Sequence, residues 1–457
     1  MDDRLRNVVL LFTSRALRSF VAGFVAIAFS LYLYDVLKMP IIQVGLVFSA
    51  GALATPLLSL LVGVAGDKYG RKIVLILDLL TLPIGLIILL VTRSFPLIVL
   101  ASALGGFGVA GGLVGGGVGA SVGPLVTALL AENSEGQQRT KLYSINMALA
   151  TFSGAAGALM VSFIGYVQLF TIGALLALLS VLAVVPLHER FKAPSKSGEH
   201  NVKLTDRDKI VIKAFAITGI LNGISQGFVT PFYPIIFEHV FHLTVAQLGY
   251  LMTVGGLLTG VADFFTTPLT NRLGFLKLIM GTRALSATMV LALPFAPNAV
   301  IASALYLLLT PFRAVSLPAQ SALQMSLISP AARGTSGGIN QAARLLASAA
   351  ATYAGGALLA AFPLVAPFAL ASAFTYGNSF VYYYYFGGIP EAKIASDKNN
   401  TGGPLNRPTR KAKALARNLI NRIRLISTAR PMRYHWPRRW QQSSRQEKEV
   451  PPGRRGS

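Results

Sequence analysis

Twelve long apolar runs fill the chain as far as residue 386, separated by short polar or charged stretches. They fall near 8–34, 41–65, 73–92, 96–131, 141–164, 167–187, 210–237, 245–269, 276–296, 298–326, 335–361 and 363–386. A helix needs ~20 apolar residues to cross ~30 Å of hydrocarbon, and every run is long enough. Backbone groups in lipid must be bonded within their own segment, which favours helices. The alternating strands of ~10 residues that build a membrane barrel are absent. The pattern predicts an all-α polytopic membrane protein with twelve transmembrane helices. Composition agrees, since only 13% of the 457 residues are charged against ~25% in soluble domains. The first run follows Asp2 and Asp3, contains Arg15 and Arg18, and leads to no small-residue cleavage site. It reads as a retained helix rather than a signal peptide.

The pattern repeats. Slid by 204 residues without a gap, Gly23, Phe24, Val25, Val36, Gln43, Gly45, Gly51, Leu53, Thr55 and Gly70 meet identical residues from Gly227 to Gly274. At an offset of 194, Pro124, Ala128, Leu129, Arg139, Ile145 and Asn146 meet Pro318, Ala322, Leu323, Arg333, Ile339 and Asn340. Two like halves in one apolar chain point to a transporter rather than a soluble enzyme.

Charge then orients the chain, because Lys and Arg favour cytoplasmic loops. With the amino terminus inside, inner loops hold Lys68, Arg71, Lys72, Arg139, Lys141, Arg272, Lys277 and Arg333, while outer loops hold little beyond Lys38 and Arg93. Both termini are expected in the cytoplasm, with the protein in the plasma membrane. The expected organisation is a six-helix half over 1–187, a polar central loop over 188–209, a second six-helix half over 210–386 and a basic tail over 387–457. The tail carries seventeen Lys or Arg and four Asp or Glu. Its prolines predict disorder, and residues 410–427 can form an amphipathic helix on the anionic inner leaflet. Nucleic-acid binding is the rival use of such charge and is not expected of a membrane-tethered tail.

After the second helix stands Gly63-x-x-x-Asp67-Lys68-x-Gly70-Arg71-Lys72. It resembles the signature loop of the major facilitator superfamily, and Asn271-Arg272-x-Gly274 resembles a degraded copy in the second half. The resemblance covers residues 1 to about 386 and is nearest in flavour to prokaryotic drug–proton antiporters and metabolite carriers. It implies a gate in which Arg71 pairs with an acid at the inner end of helix 4, a region occupied by Glu132. The residues alone allow a plain solvated turn. They also suit close approach of two helices through the glycines, with Asp67 facing a helix amino terminus or a basic partner.

Helix 4 contains GGFGVAGGLVGGGVGASVG, residues 105–123. The dinucleotide-like spacing inside it has no strand before it and is spurious. Its small-residue spacings suit close helix packing or a flexible cavity wall.

Ionisable groups in hydrocarbon cost ~2.5–3.5 kcal/mol on insertion scales. Arg15, Arg18, Asp78, Asp263, Arg283, Arg313 and Arg344 all lie inside predicted helices. Arg283 and Arg344 can snorkel, and Asp78 and Arg283 read mainly as structural. Asp263 is the proton-coupling candidate, with a salt-bridge role as its equal. The family resemblance implies that helices 1, 4, 7 and 10 line a central cavity. Arg18 and Arg313 are then expected to bind a substrate or its anionic portion, with Gln226 and Tyr233 adding hydrogen bonds. Their other reading is pairing with Asp78 or Asp263.

The expected function is secondary active transport of a small solute by alternating access, with proton-coupled export of drug-like compounds first. A symporter or uniporter for a small metabolite, including an anionic one, or a sugar is the alternative. Catalysis is remote, since no cysteine exists and all five histidines lie in predicted loops or the tail. No cofactor, metal or nucleic acid is expected, and the protein is expected to be a monomer.

Overall fold

The computed structural model describes residues 3–108, 120–134, 136–189, 204–329 and 332–387. Its first half comprises α1 (Asp3–Leu31), α2 (Ile41–Tyr69), α3 (Arg71–Val91), α4 (Phe95–Gly105), α5 (Gly123–Glu132), α6 (Gly136–Leu159) and α7 (Tyr166–Val184). The second comprises α8 (Asp206–Val229), α9 (Tyr233–His239), α10 (Val245–Leu273), α11 (Phe275–Ala292), α12 (Ala299–Leu327), α13 (Arg333–Ala361) and α14 (Val365–Phe386). There is no strand among the described residues. A π-helical turn, Tyr32–Val36, ends α1. Residues 109–119, between α4 and α5, lie outside the described residues, and so do most of the central loop and the tail.

Nine helical segments among the described residues are long and apolar enough to cross a membrane, where twelve runs were expected. The fourth run is divided by undescribed residues. α13 and α14 have 29 and 22 residues, which is length enough, but neither is among the nine. For α13 the reason is its position. It packs along both α8 and α2, so much of its surface faces protein rather than lipid.

Lipid supplies no hydrophobic force between helices, so small residues that allow close backbone contact must hold them together. The structure places such contacts in symmetric pairs. A Cβ on Gly23 of α1 would strike the Gly154 carbonyl of α6, and one on Gly227 of α8 would strike the Ser348 carbonyl of α13. Gly227 and Ser348 are the repeat partners of Gly23 and Gly154 under the two sequence offsets.

The same symmetry joins the halves. Gly45 of α2 lies against Thr352 and Gly356 of α13, with a Cβ there only 3.1 Å from backbone atoms of both. Gly249 of α10, the counterpart of Gly45, lies against Ala158 and Ser162. Hydrogen bonds reinforce both seams. Ser49 donates to the Ala349 carbonyl at 2.8 Å, Ser162 to that of Ala246 at 2.8 Å and Thr253 to that of Ala155 at 3.1 Å.

Hydrophobic packing divides accordingly. One large core takes residues from both halves, from Val21 and Phe48 to Phe232 and Tyr306. It sits toward the end that carries the α1–α2 and α9–α10 connections. At the other end, where the basic α2–α3 and α10–α11 turns lie, each half keeps a separate core. One is built around Leu75, Leu125 and Val184, the other around Phe215, Ile279 and Leu323. The halves are thus joined at one end and part at the other.

Two glycine substitutions test the seams. Gly157 and Gly223 face the Phe20 and Arg344 carbonyls, whereas nothing lies within 4 Å of a Cβ on Gly281. Gly157→Ala and Gly223→Ala are each expected to destabilise by about 1–3 kcal/mol through overpacking, read as a lower melting temperature in detergent. Gly281→Ala should melt like the parent.

Candidate functional site

A central cavity opens where the shared core ends, with about 1090 Å³ of empty space including solvent at its mouth. Its position follows from a break in the seventh crossing. α8 stops at Val229, a 3₁₀ turn spans Thr230–Phe232, and α9 starts at Tyr233. Pro231 and Pro234 cause the break, because neither ring nitrogen can donate to the helical ladder. Interrupted helices form many transporter sites, since irregular backbone is tolerated only where it lines a cavity.

The walls differ in chemistry. The first half contributes Ala26, Ile27, Phe48, Phe107 and Gly108, which are all apolar. The second half contributes the polar groups. Arg313 of α12 donates to Thr230 Oγ1 at 3.2 Å. The Tyr233 and Tyr306 rings meet edge to face at 5.4 Å, and the Tyr306 hydroxyl donates to Met252 Sδ at 2.8 Å. Gln226 donates to Asn222 at 3.2 Å, and Arg344 of α13 to Gln341 at 3.0 Å. The Tyr233, Thr259 and Thr310 hydroxyls line the cavity buried and without a partner among the described residues. A buried polar group left unpaired costs about 1–3 kcal/mol, so these hydroxyls are poised for a bound molecule or water. Among the described residues, the lining holds two arginines and no Asp or Glu.

Of the residues expected at the substrate site, Arg313, Gln226 and Tyr233 come together here. Arg18 does not. It is buried on α1, within electrostatic reach of Arg15 and Asp78 and inside the first half. Its side chain faces the interior of the first half rather than the cavity. Of the α1 residues that line the cavity, Ala26 and Ile27, the first is eight positions on, which is about 12 Å along and roughly 80° around a helix. Asp263 lies outside the lining and has no hydrogen-bond partner among the described residues. Arg344, read from sequence as snorkelling, instead faces the cavity. Tyr306, Thr259 and Thr310 were missed because one polar residue in an apolar run carries no signal of its own.

Two structural readings gain specific partners. Ser121 donates to Asp78 at 2.9 Å. Buried Arg283 bonds Asn378 and Gln320 and stands 4.9 Å over the Tyr382 ring, tying α11 to α12 and α14.

At the basic end, α2 turns into α3 at Gly70, where φ is +100°, and Gly274 repeats the turn at +77°. These angles favour glycine because a Cβ would clash. Arg71 and Glu132 form an ion pair. Lys68 lies 5.0 Å over the Tyr69 ring. Sequence reading missed Glu189, just beyond α7, whose carboxylate accepts the backbone N–H groups of Arg71 and Lys72. An acid there satisfies free donors and complements the helix dipole. Close helix approach at Gly63 is not made, since a Cβ there would meet nothing within 4 Å; Gly66 instead makes room for the Leu125 side chain of α5. The Asp67 side chain lies outside the described residues. Asn271 and Arg272 form no hydrogen bond or ion pair with the first-half turn among those described.

Glu189→Ala is expected to cost about 1 kcal/mol, as for loss of an N-cap. Hydrogen exchange at the first-turn amides of α3 should accelerate, while those of α11 stay unchanged.

No curated protein sequence matches the chain significantly. Solved structures do share its fold. The D-xylose–proton symporter superposes with a TM-score of 0.68 at 13% identity, covering 85% of this chain and 99% of that one. The nucleoside transporter NupG gives 0.64 at 15%, covering 84% and 99%. The human organic anion transporter MFSD10 (TETRAN) gives 0.60 at 16%, covering 84% and 100%. The family model described as Major Facilitator Superfamily matches residues 11–215 and again 215–436. Matched in both halves and folded as two joined six-crossing units, the chain belongs to the Major Facilitator Superfamily of membrane transporters.

Proposed function

We propose that the chain carries a small organic anion across the membrane by alternating access. The carrying observation is the cavity lining, which among the described residues presents Arg313 and Arg344 and no carboxylate. Guanidinium groups are suited to planar carboxylate or phosphate ligands through paired hydrogen bonds. A solute bound there touches apolar groups of the first half and polar groups of the second, so its occupancy can bias their relative position. The basic turns suit a cytoplasmic placement in the plasma membrane under the positive-inside rule. The structure then corresponds to an inward-open state, and the Arg71–Glu132 pair stands at the mouth as part of the gate. The basic tail, 387–457, suits the anionic inner leaflet.

Proton-coupled export of drug-like compounds is the second reading. It draws on the aromatic part of the lining, Phe48, Phe107, Tyr233 and Tyr306, and needs a carboxylate such as Asp263 to carry the proton.

Proteoliposome uptake of a panel of aromatic monocarboxylates, sugar phosphates and neutral analogues tests the choice. Anions should be carried and their neutral analogues should not. Arg313→Gln and Arg344→Gln should each raise the apparent KM about ten- to hundredfold, as expected for losing charged hydrogen bonds of ~1.5–3 kcal/mol. Arg18→Gln should lower folded yield without a selective change in KM. Preference for neutral or cationic compounds, with unchanged KM in both cavity variants, would refute the anion reading.

A further inference from the structure

At the end where the halves share a core, three metal-ligating side chains converge. Asp35 stands on the π-helical turn that ends α1, while Glu238 and His239 close α9. One ligand atom from each, two carboxylate oxygens and an imidazole nitrogen, lie within 4.8 Å of one another. Asp35 and His239 occupy the same position of the repeat, 204 residues apart, and the fold brings them face to face.

His239 Nε2 is 2.7 Å from Asp35 Oδ1. That contact leaves the other oxygen of the aspartate unused. Asp35 Oδ2 and Glu238 Oε2 are both buried and find no donor among the described residues. Two carboxylate oxygens withdrawn from water in one place repel each other unless a proton or a cation joins them. The Tyr34 ring packs edge-on against His239 at 4.8 Å and fixes its plane. π-Helical turns are rare and are found mostly at functional positions; this one aims Asp35 at the second half.

We propose that Asp35, Glu238 and His239 bind a divalent transition-metal ion of the zinc class, which clamps the two halves together at this end. Imidazole nitrogen with carboxylate oxygens is a donor set zinc accepts, at ~2.0–2.2 Å, whereas calcium and magnesium prefer oxygen alone. Ligands on a tetrahedral ion at those bond lengths stand about 3.4 Å apart. Rotations of the three side chains by about an ångström reach that spacing. Asp35 and His239 side chains are 22% and 42% exposed, so an ion can exchange with the surrounding solution, and water can take the fourth position. Because the ligands come from both halves, parting them at this end breaks the site. Sequence reading assigned no metal, since His239 lay in a predicted loop and its acidic partners, one adjacent and one distant, follow no metal-motif spacing. The inference does not depend on what the central cavity carries.

The test uses the full chain in nanodiscs, stripped with chelator and titrated with ZnCl₂ at pH 7.5 against MgCl₂. One zinc per chain is expected, raising the melting temperature by several degrees, with no effect of magnesium. Asp35→Asn, Glu238→Gln and His239→Gln should each weaken zinc at least tenfold. The cysteine-free chain accepts spin labels at Ile42→Cys and Val240→Cys, and zinc should narrow that distance distribution. Absence of zinc binding to the parent, or equal binding by all three variants, overturns the site. A pH-dependent change in the label distance without any zinc effect overturns it in favour of a proton. A zinc-broadened distribution overturns the clamp. Should a variant fail to fold, Co²⁺ on the parent decides: four- or five-coordinate visible bands support the site, and a six-coordinate spectrum or none counts against it.

Discussion

Backbone-to-backbone contact at small residues is the constraint on which the rest of the structure depends. Helices surrounded by lipid gain little from apolar burial against one another, so they associate where glycine, serine and alanine let them approach. The chain uses this device within each half, at Gly23 against Gly154 and Gly227 against Ser348. It uses it again between the halves, at Gly45 against Gly356 and Gly249 against Ser162. All four contacts obey the same two sequence offsets, so the inter-half seams are themselves related by the pseudo-symmetry. Seams of this kind join the halves at one end, while two separate cores keep each half rigid at the other. Rigid halves with one common edge can rock.

The cavity is a consequence of that arrangement. It lies at the inner limit of the shared core, beside the proline-broken seventh crossing. Arg313 and Arg344 would be costly against lipid, but here they face a space that admits water or a solute. The asymmetry of the walls also follows from sequence. First-half positions at this depth are Ala26, Ile27 and Phe48, whereas the second half supplies Gln226, Thr230, Tyr306 and Arg313. The repeat preserved the packing residues and let the cavity residues diverge.

Much of the fold was legible because it is governed by periodicity and by small residues. The helical runs, the parity of the halves and the turns at Gly70 and Gly274 all stand on features with local physical causes. α13 shows the limit, since its run announced a crossing but not its packing between α8 and α2. The site was legible in part. Arg313, Gln226 and Tyr233 stood out as polar residues in helices expected to line a cavity. Arg18 looked equivalent as a charged residue in a helix expected to line the cavity, but membership of a helix does not determine facing. Glu189 was invisible because its partners stand more than a hundred residues away, and the Asp35–His239 contact because a shared place in the repeat does not by itself bring two side chains together.

The central claim is that the halves rock about the shared core. Spin labels at Val64→Cys on α2 and Ile339→Cys on α13, both exposed positions toward the basic end, report on it directly. Rocking gives two distance populations, a long one corresponding to this structure and a shorter one with the basic end closed. Asp35→Asn, which loosens the opposite end, should enrich the shorter population. One narrow distance, unchanged by Asp35→Asn and by every transported solute, would contradict the account.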